Sequence, residues 1–294
     1  MMILQESEWR KAQNRHRERV EPMVVAHRTR RSRSEKHPVF DFLWEYYSFK
    51  PAQLMKWSPG IGVELRGDFD GAKEFSPSHN GFALDLEKFP FHRLSSALEI
   101  LEILESTANR AANHACFGLH EWAMVYRAPQ TRHPAPLRLS DAEIAVFVES
   151  QSISCSHYDA FRFFTPSARG FNLLDPRSET RAEFEQPGCI HANMDLYKWA
   201  YKFSPWIGSD SIADAFEIAC EARQLDMRAA PYDLGDFGVV PIPIETAAGR
   251  REYAILQREI AEKAAPIRAN LIAAYRDLLE TLSQTKSAAP IALS

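Results

Sequence analysis

At 294 residues the chain is long enough for one large domain or two small ones. Its content, 45% hydrophobic and 25% charged, is that of a soluble globular protein. The net charge of −4 is uneven: ten Lys/Arg against three Glu between Trp9 and Lys36 make +7 there, and −11 in the remainder. No stretch approaches the ~18 apolar residues of a membrane span, and MMILQESEWRK has no apolar run before a small-residue cleavage site. Four cysteines without an export signal predict thiols in a reducing cytoplasm, and no membrane partner.

Residues 4 to 35 read as a polar helix, and HRTRRSRSEK is its most basic part. Residues 1–36 are therefore expected to form a basic helical N-terminal arm, either a solvated face or a contact for the phosphates of DNA. The pI near 6.2 excludes a dedicated nucleic-acid coat protein but allows an enzyme basic on one face. In HPVFDFLWEYYSFKP, Pro38 suits a first helical position, and Phe40, Leu43, Trp44 and Tyr47 fall at i, i+3, i+4, i+7, a buried face. KWSPGIGVELRGDFDG gives a turn and a short strand, Val63 to Arg66; residues 68–89 are loop-rich, with a strand around GFALDL. HRLSSALEILEILESTANRAANHA is a helix whose apolar row is Leu94, Leu98, Leu101 and Leu104.

Residues 116–126 fit strand or helix, and APQTRHPAPLRLSDAE is a proline-containing surface loop. IAVFVES and YDAFRFFT are the best strand candidates of the middle third. CIHANMDLYKWAYKFSP is a helix closed by Pro205, and SDSIADAFEIACEARQLDMR is a helix capped by Ser209 or Asp210. GDFGVVPIPIETAAG is a connector with a short extended piece, and Ala247 to Gln284 is helical with a break or kink at Pro266. With no repeat or long linker, the expected fold is α+β. The basic arm precedes a predominantly helical single catalytic domain, 37–285, with a small central β-sheet; a flexible tail, 286–294, follows.

The helix from Cys189 to Pro205 is inverted. On a wheel of about 100° per residue, His191, Asp195, Lys198 and Lys202 form one narrow ionisable stripe on an otherwise apolar cylinder. The stripe either reaches water or lines a cavity. The lysines can snorkel from an edge; His191 and Asp195 are too short for that. Two other stretches, CFGLHEWAMVYR and CSHYDAFRFF, likewise set Cys, His and carboxylate among aromatics. Desolvating an unpaired charge costs several kcal/mol, so His120, Glu121, His157, Asp159, His191 and Asp195 are expected to share one interior site, although structural ion pairs give the same pattern.

Two chemistries fit that set. The first is a base-excising N-glycosidic hydrolase without a cofactor, in which Asp195 is the working carboxylate and His191 orients it. Trp199, Tyr201, Trp122 and Tyr158 would stack a flipped base, Lys198 would keep the carboxylate ionised, and Arg228 would hold a phosphate or tie its own helix end. The second is a zinc- or iron-dependent hydrolase or oxygenase of a small molecule, with ligands among His120, His157, Asp159, His191 and Asp195. A non-catalytic ligand-binding protein with the same pocket is a third. HEWAM lacks the second His of a zinc-protease motif, and there is no phosphate-binding glycine loop or nucleophile elbow.

The stretches EKHPVFDFLWEYYSFKPAQL, CFGLHEWAMVYR, HYDAFRFFTP, QPGCIHANMDLYKWAYKFSP and LDMRAAPYDL resemble a bacterial family labelled 3-methyladenine DNA glycosylase, and the likeness runs from about Trp9 to Ala265. It implies release of an alkylated purine from DNA and carries over no catalytic residue. The helix-hairpin-helix with a downstream aspartate that marks one alkyl-base glycosylase group is absent: SPGIG is followed by the strand-like VELRG rather than a helix.

Overall fold

The computed structural model describes residues 1–131 and 133–288. The chain starts with strand β1 (Met2–Leu4) and a long helix, α1 (Glu6–Ser32). Short helices α2 (Phe42–Tyr46) and α3 (Pro51–Leu54) lead to strands β2 (Val63–Arg66), β3 (Phe75–Pro77) and β4 (Gly81–Leu84). The α-helices that follow are α4 (Leu94–Ala108), α5 (Leu119–Val125), α6 (Asp141–Glu149), α7 (Tyr158–Phe161), α8 (Arg181–Phe184), α9 (Ile190–Met194), α10 (Leu196–Tyr201), α11 (Ser209–Ala229) and α12 (Ala247–Ala288). The class is the expected one, a predominantly helical α+β protein with one small mixed sheet.

The sheet is built from residues 2–84 and not from the middle of the chain. Its order is β1-β2-β4-β3; β1 runs parallel to β2, and the other pairs are antiparallel, with Leu65 opposite Phe82 and Phe75 opposite Leu84. Both strands expected from the middle third are helical. In IAVFVES the Ser140 hydroxyl accepts from Glu143 N, and the Glu143 carboxylate accepts from Ser140 N, a capping box. Ile144, Phe147 and Val148 are buried and Val146 is exposed, a helical period; strand alternation would have set Val146 on the face of Ile144 and Val148. In YDAFRFFT, His157 caps the single turn of α7.

The basic arm is a helix, as expected, and lies packed on the body. Trp9, His16, Val20, Val24 and His27 turn inward, Trp9 Nε1 donates to Arg66 O at 2.8 Å, and Arg19 forks onto Asp214 and Glu217 of α11. Lys11, Arg15, Arg28, Arg31 and Arg33 stay exposed. Pro38 sits in a turn rather than a helix: the Asp41 carboxylate, paired with His27 and Arg30, accepts from His37 N and closes that turn. Helix α2 starts only at Phe42, so Phe40 is exposed while Leu43 and Tyr47 are buried. On α4 the inward residues are Ala97, Ile100, Ile103, Leu104 and Thr107, and Leu98 of the expected leucine row is exposed.

Helix α11 buries its apolar face among α1, α9, α10 and α12 and leaves a polar stripe, Asp210, Asp214, Glu217, Glu221 and Gln224, outside the core. Its cap is Gly208, not Ser209 or Asp210. The Ser209 hydroxyl instead accepts from Ser58 N and donates to Lys56 O, fastening the SPGIG turn to α11. Helix α12 buries Tyr253, Ile260, Ala264, Leu271, Tyr275 and Leu278, a period of three and four. It continues through Pro266, which lies on the exposed face, where water can satisfy the carbonyl that proline leaves unbonded. The connector before it holds a 3-10 turn, Gly235–Phe237, and no named strand. Of the expected tail, residues 286–288 complete α12; 289–294 lie outside the described residues.

Candidate functional site

Three local devices bring the His-bearing stretches together. Phe117 and Gly118 both have positive φ, 49° and 71°, and a Cβ on Gly118 would stand 3.1 Å from the Ala229 methyl of α11. This tight turn starts α5 against α11 and faces His120 and Glu121 toward Arg223 and Asp226; only glycine fits its second residue without strain. Second, His157 Nδ1 accepts from Ala160 N at 3.3 Å. That bond assigns the proton to Nε2, which donates to Asp195 Oδ2 at 3.2 Å. Third, the inverted helix breaks at Asp195, between α9 and α10, which sets the carboxylate between the two helices.

The result is a chamber of about 460 Å³ lined by His120, Glu121, His157, His191, Asp195 and Arg223, with Phe42, Tyr46, Tyr47 and Phe163 among its apolar and aromatic wall. The imidazoles of His120 and His191 lie 4.1 Å apart between centroids, and those of His157 and His191 5.6 Å. Thus all three stretches converge.

Two charge networks meet there. In the first, Asp195 accepts from Tyr47 Oη at 2.7 Å, from His157 and from Lys198. Lys198 also reaches Asp159 at 3.0 Å, and Asp159 is held further by Arg181 and Arg162. Burial opposes the charge on Asp195, but Lys198 and His157 outweigh it and hold the carboxyl far below its ordinary range. Burial likewise opposes the Lys198 charge, and Asp195 and Asp159 keep it an ammonium. Glu185, 3.7 Å from His157 Nε2, is pushed up by burial.

In the second network, Arg223 binds Glu121 at 3.1 Å and Asp226 Oδ2 at 2.8 Å. Burial works against Glu121 as a carboxylate, but His120 and Arg223 hold it down. Asp226 is raised by burial despite His120 and Arg223. His191 is pushed well below its ordinary value by burial and by the two neighbouring imidazoles, so it is neutral.

This second network fits a metal ion. One ligand atom each from His120, His191 and Asp226 lies within 4.8 Å of the others. His120 Nδ1 and Asp226 Oδ1, 3.6 Å apart, are buried and have no hydrogen-bond partner among the described residues. Metal binding requires neutral imidazoles and a carboxylate. Burial opposes a proton on His120, but Asp226 and Glu121 outweigh it and raise that imidazole. A cation there would take the place of the proton and relieve the desolvation that raises Asp226. The ligand set expected from sequence divides. His120 and His191 belong here together with Asp226, while His157, Asp159 and Asp195 belong to the first network, where Lys198 already supplies the cation.

The expected stacking residues lie elsewhere. Trp122 is in the core, donating to Ala229 O at 2.8 Å. Trp199 is buried under the ammonium of Lys198, 4.1 Å from its ring centroid. Tyr158 lies under Arg181, Tyr201 lines a neighbouring groove, and Arg228 ties its helix end to Val240 O and Glu252. Sequence reasoning missed Tyr47, Glu185 and Arg223 as site residues and did not assign Asp226 to this site. Arg223-x-x-Asp226, a charged i, i+3 pair inside the alanine-rich helix α11, was a legible signal for the last two. Comparisons with family models, curated proteins and solved structures give no match.

Proposed function

We propose that the protein is a metal-dependent enzyme, a hydrolase or oxygenase, acting on a small organic molecule held in the chamber. The observation that carries this reading is the cluster His120, His191 and Asp226, each with a ligand atom within 4.8 Å of the others, in which buried His120 Nδ1 and Asp226 Oδ1 face each other without a hydrogen-bond partner among the described residues. Two histidines and one carboxylate suit zinc or non-haem iron and leave positions for substrate. A divalent ion there would supply Lewis acidity at neutral pH. The chain's own groups do the rest. Arg223 engages Asp226 Oδ2 and leaves Oδ1 toward His120, and neutral His191, its Nε2 3.8 Å from Oδ2, offers a lone pair. The Tyr47–Asp195–His157 chain fixes the opposite wall and the tautomer of His157. A cytoplasmic location belongs to the same proposal.

Elemental analysis of the purified protein tests it. Near-stoichiometric zinc or iron is expected, falling at least tenfold in Asp226→Asn with the circular-dichroism spectrum retained. Absence of bound metal together with no uptake of added zinc or ferrous ion overturns it.

A second reading is favoured by one observation: Asp195 is kept ionised on the chamber wall, the state needed to stabilise an oxocarbenium-like transition state. On that reading the protein releases alkylated purine from DNA, with exposed cations of α1 on the phosphates, in line with the glycosylase resemblance. Asp195→Asn separates the two. Base release from alkylated DNA that needs Asp195 and survives metal removal supports the second reading and rejects the first.

A further inference from the structure

An open groove of about 910 Å³ adjoins the chamber and shares Tyr46, Tyr47 and Asp159 with it. Six cations line it, Lys56, Lys73, Arg93, Arg162, Lys198 and Lys202, against two carboxylates, Glu74 and Asp159. Asp159 is already engaged by Lys198, Arg181 and Arg162. Arg93 and Lys202 are neighbours, since the Arg93 guanidinium donates to Lys202 O at 2.8 Å, and neither forms an ion pair among the described residues. Burial, Lys198 and Arg93 together lower the pKa of Lys202 and outweigh the opposing pull of Glu99, as expected where cations are crowded. Phe49 and Tyr201, both lining the groove, stack at 4.8 Å and 13°.

A cleft with surplus cations and a flat aromatic wall recognises phosphate beside a planar ring. We propose that the groove binds a phosphorylated small molecule carrying a flat ring, of which a nucleotide is the simplest member, with its phosphate at Arg93 and Lys202 and its ring toward Tyr201. The Lys198–Asp195 bridge, where groove and chamber meet, then lies beneath the bound molecule. As the substrate class of the chamber this rests on the metal-dependent reading; the binding itself does not.

Titration calorimetry with AMP, adenosine and a thymidine oligonucleotide tests it, on protein treated with EDTA and again after zinc is restored. AMP is expected to bind at least tenfold more tightly than adenosine, more weakly as salt rises. The double variant Arg93→Gln/Lys202→Gln should lose at least tenfold while keeping the metal content of the parent. Tighter binding of the oligonucleotide, equally sensitive to the double variant, supports the phosphate site and identifies its source as a strand. Equal affinity for AMP and adenosine, an indifferent double variant, or no binding of any probe overturns the proposal. Because the EDTA-treated protein is assayed separately, a failed metal site and a failed groove give different results.

Discussion

The chamber and the groove meet at one ion pair and treat charge in opposite ways. Inside the chamber nearly every carboxylate has a cationic partner: Asp195 has Lys198, Glu121 has Arg223, Asp159 has Lys198, Arg162 and Arg181. In the groove, Arg93 and Lys202 form no ion pair with a carboxylate among the described residues. The difference follows from solvent. A buried charge without compensation costs several kcal/mol, whereas water screens an exposed cluster well enough to leave it free for a ligand. The inverted helix crosses this boundary. His191 and Asp195 line the chamber, Lys202 reaches the groove, and Lys198 bridges the two. The stripe read from sequence therefore both lines a cavity and meets water, at opposite ends.

Lys198→Met is the strongest way to break this contrast. It leaves Asp195 and Asp159 buried without their shared cation, so a loss of about 3–5 kcal/mol is expected in urea unfolding. A loss below about 1 kcal/mol would mean the bridge does not support the wall. Tyr47→Phe removes one bond to a buried charge, and about 1.5–3 kcal/mol should go with little change in shape.

Acid sharpens the comparison further. His191 is neutral in the fold and titrates near 6.5 in the unfolded chain. Below that pH the unfolded chain holds a proton the fold refuses, so stability falls as pH falls. Between pH 7.5 and 5.5, His191→Gln should flatten the decline by up to about 1.4 kcal/mol per pH unit. The measurement uses EDTA-treated protein, so that metal release does not contribute; equal slopes would show His191 to be solvated. The smallest effect belongs to the groove. Arg93→Gln and Lys202→Gln should each change stability by no more than about 0.5 kcal/mol, since neither has an ionic partner to lose.

Much of the site was legible. The Cys-His-carboxylate clusters named His120, Glu121, His157, Asp159, His191 and Asp195, and all six line the chamber. Burial economics made that inference, because short ionisable side chains in apolar segments must find partners. The aromatic residues were misplaced for a related reason: Trp122 and Trp199 near a cluster in sequence are as well used in packing, and α5 and α10 rotate them away from the cavity. Tyr47 and Asp226 come from elements 148 residues before and far after their partners, so local spacing could not join them. The two misread strands show the same limit at smaller scale. IAVFVES is β-branched and apolar, yet the Ser140–Glu143 capping box and one exposed valine decide for helix.

The amino-acid sequence by itself determined the class of the fold, the strand Val63–Arg66, the long helices and the set of groups that need a common interior. Those are consequences of periodicity and desolvation, which act residue by residue. Only the tertiary structure decided which groups pair, because pairing depends on distance and on which atom is left over. Lys198 took Asp195 and Asp159, Arg223 took Glu121 and one oxygen of Asp226, and among the atoms left over His120 Nδ1 faces Asp226 Oδ1.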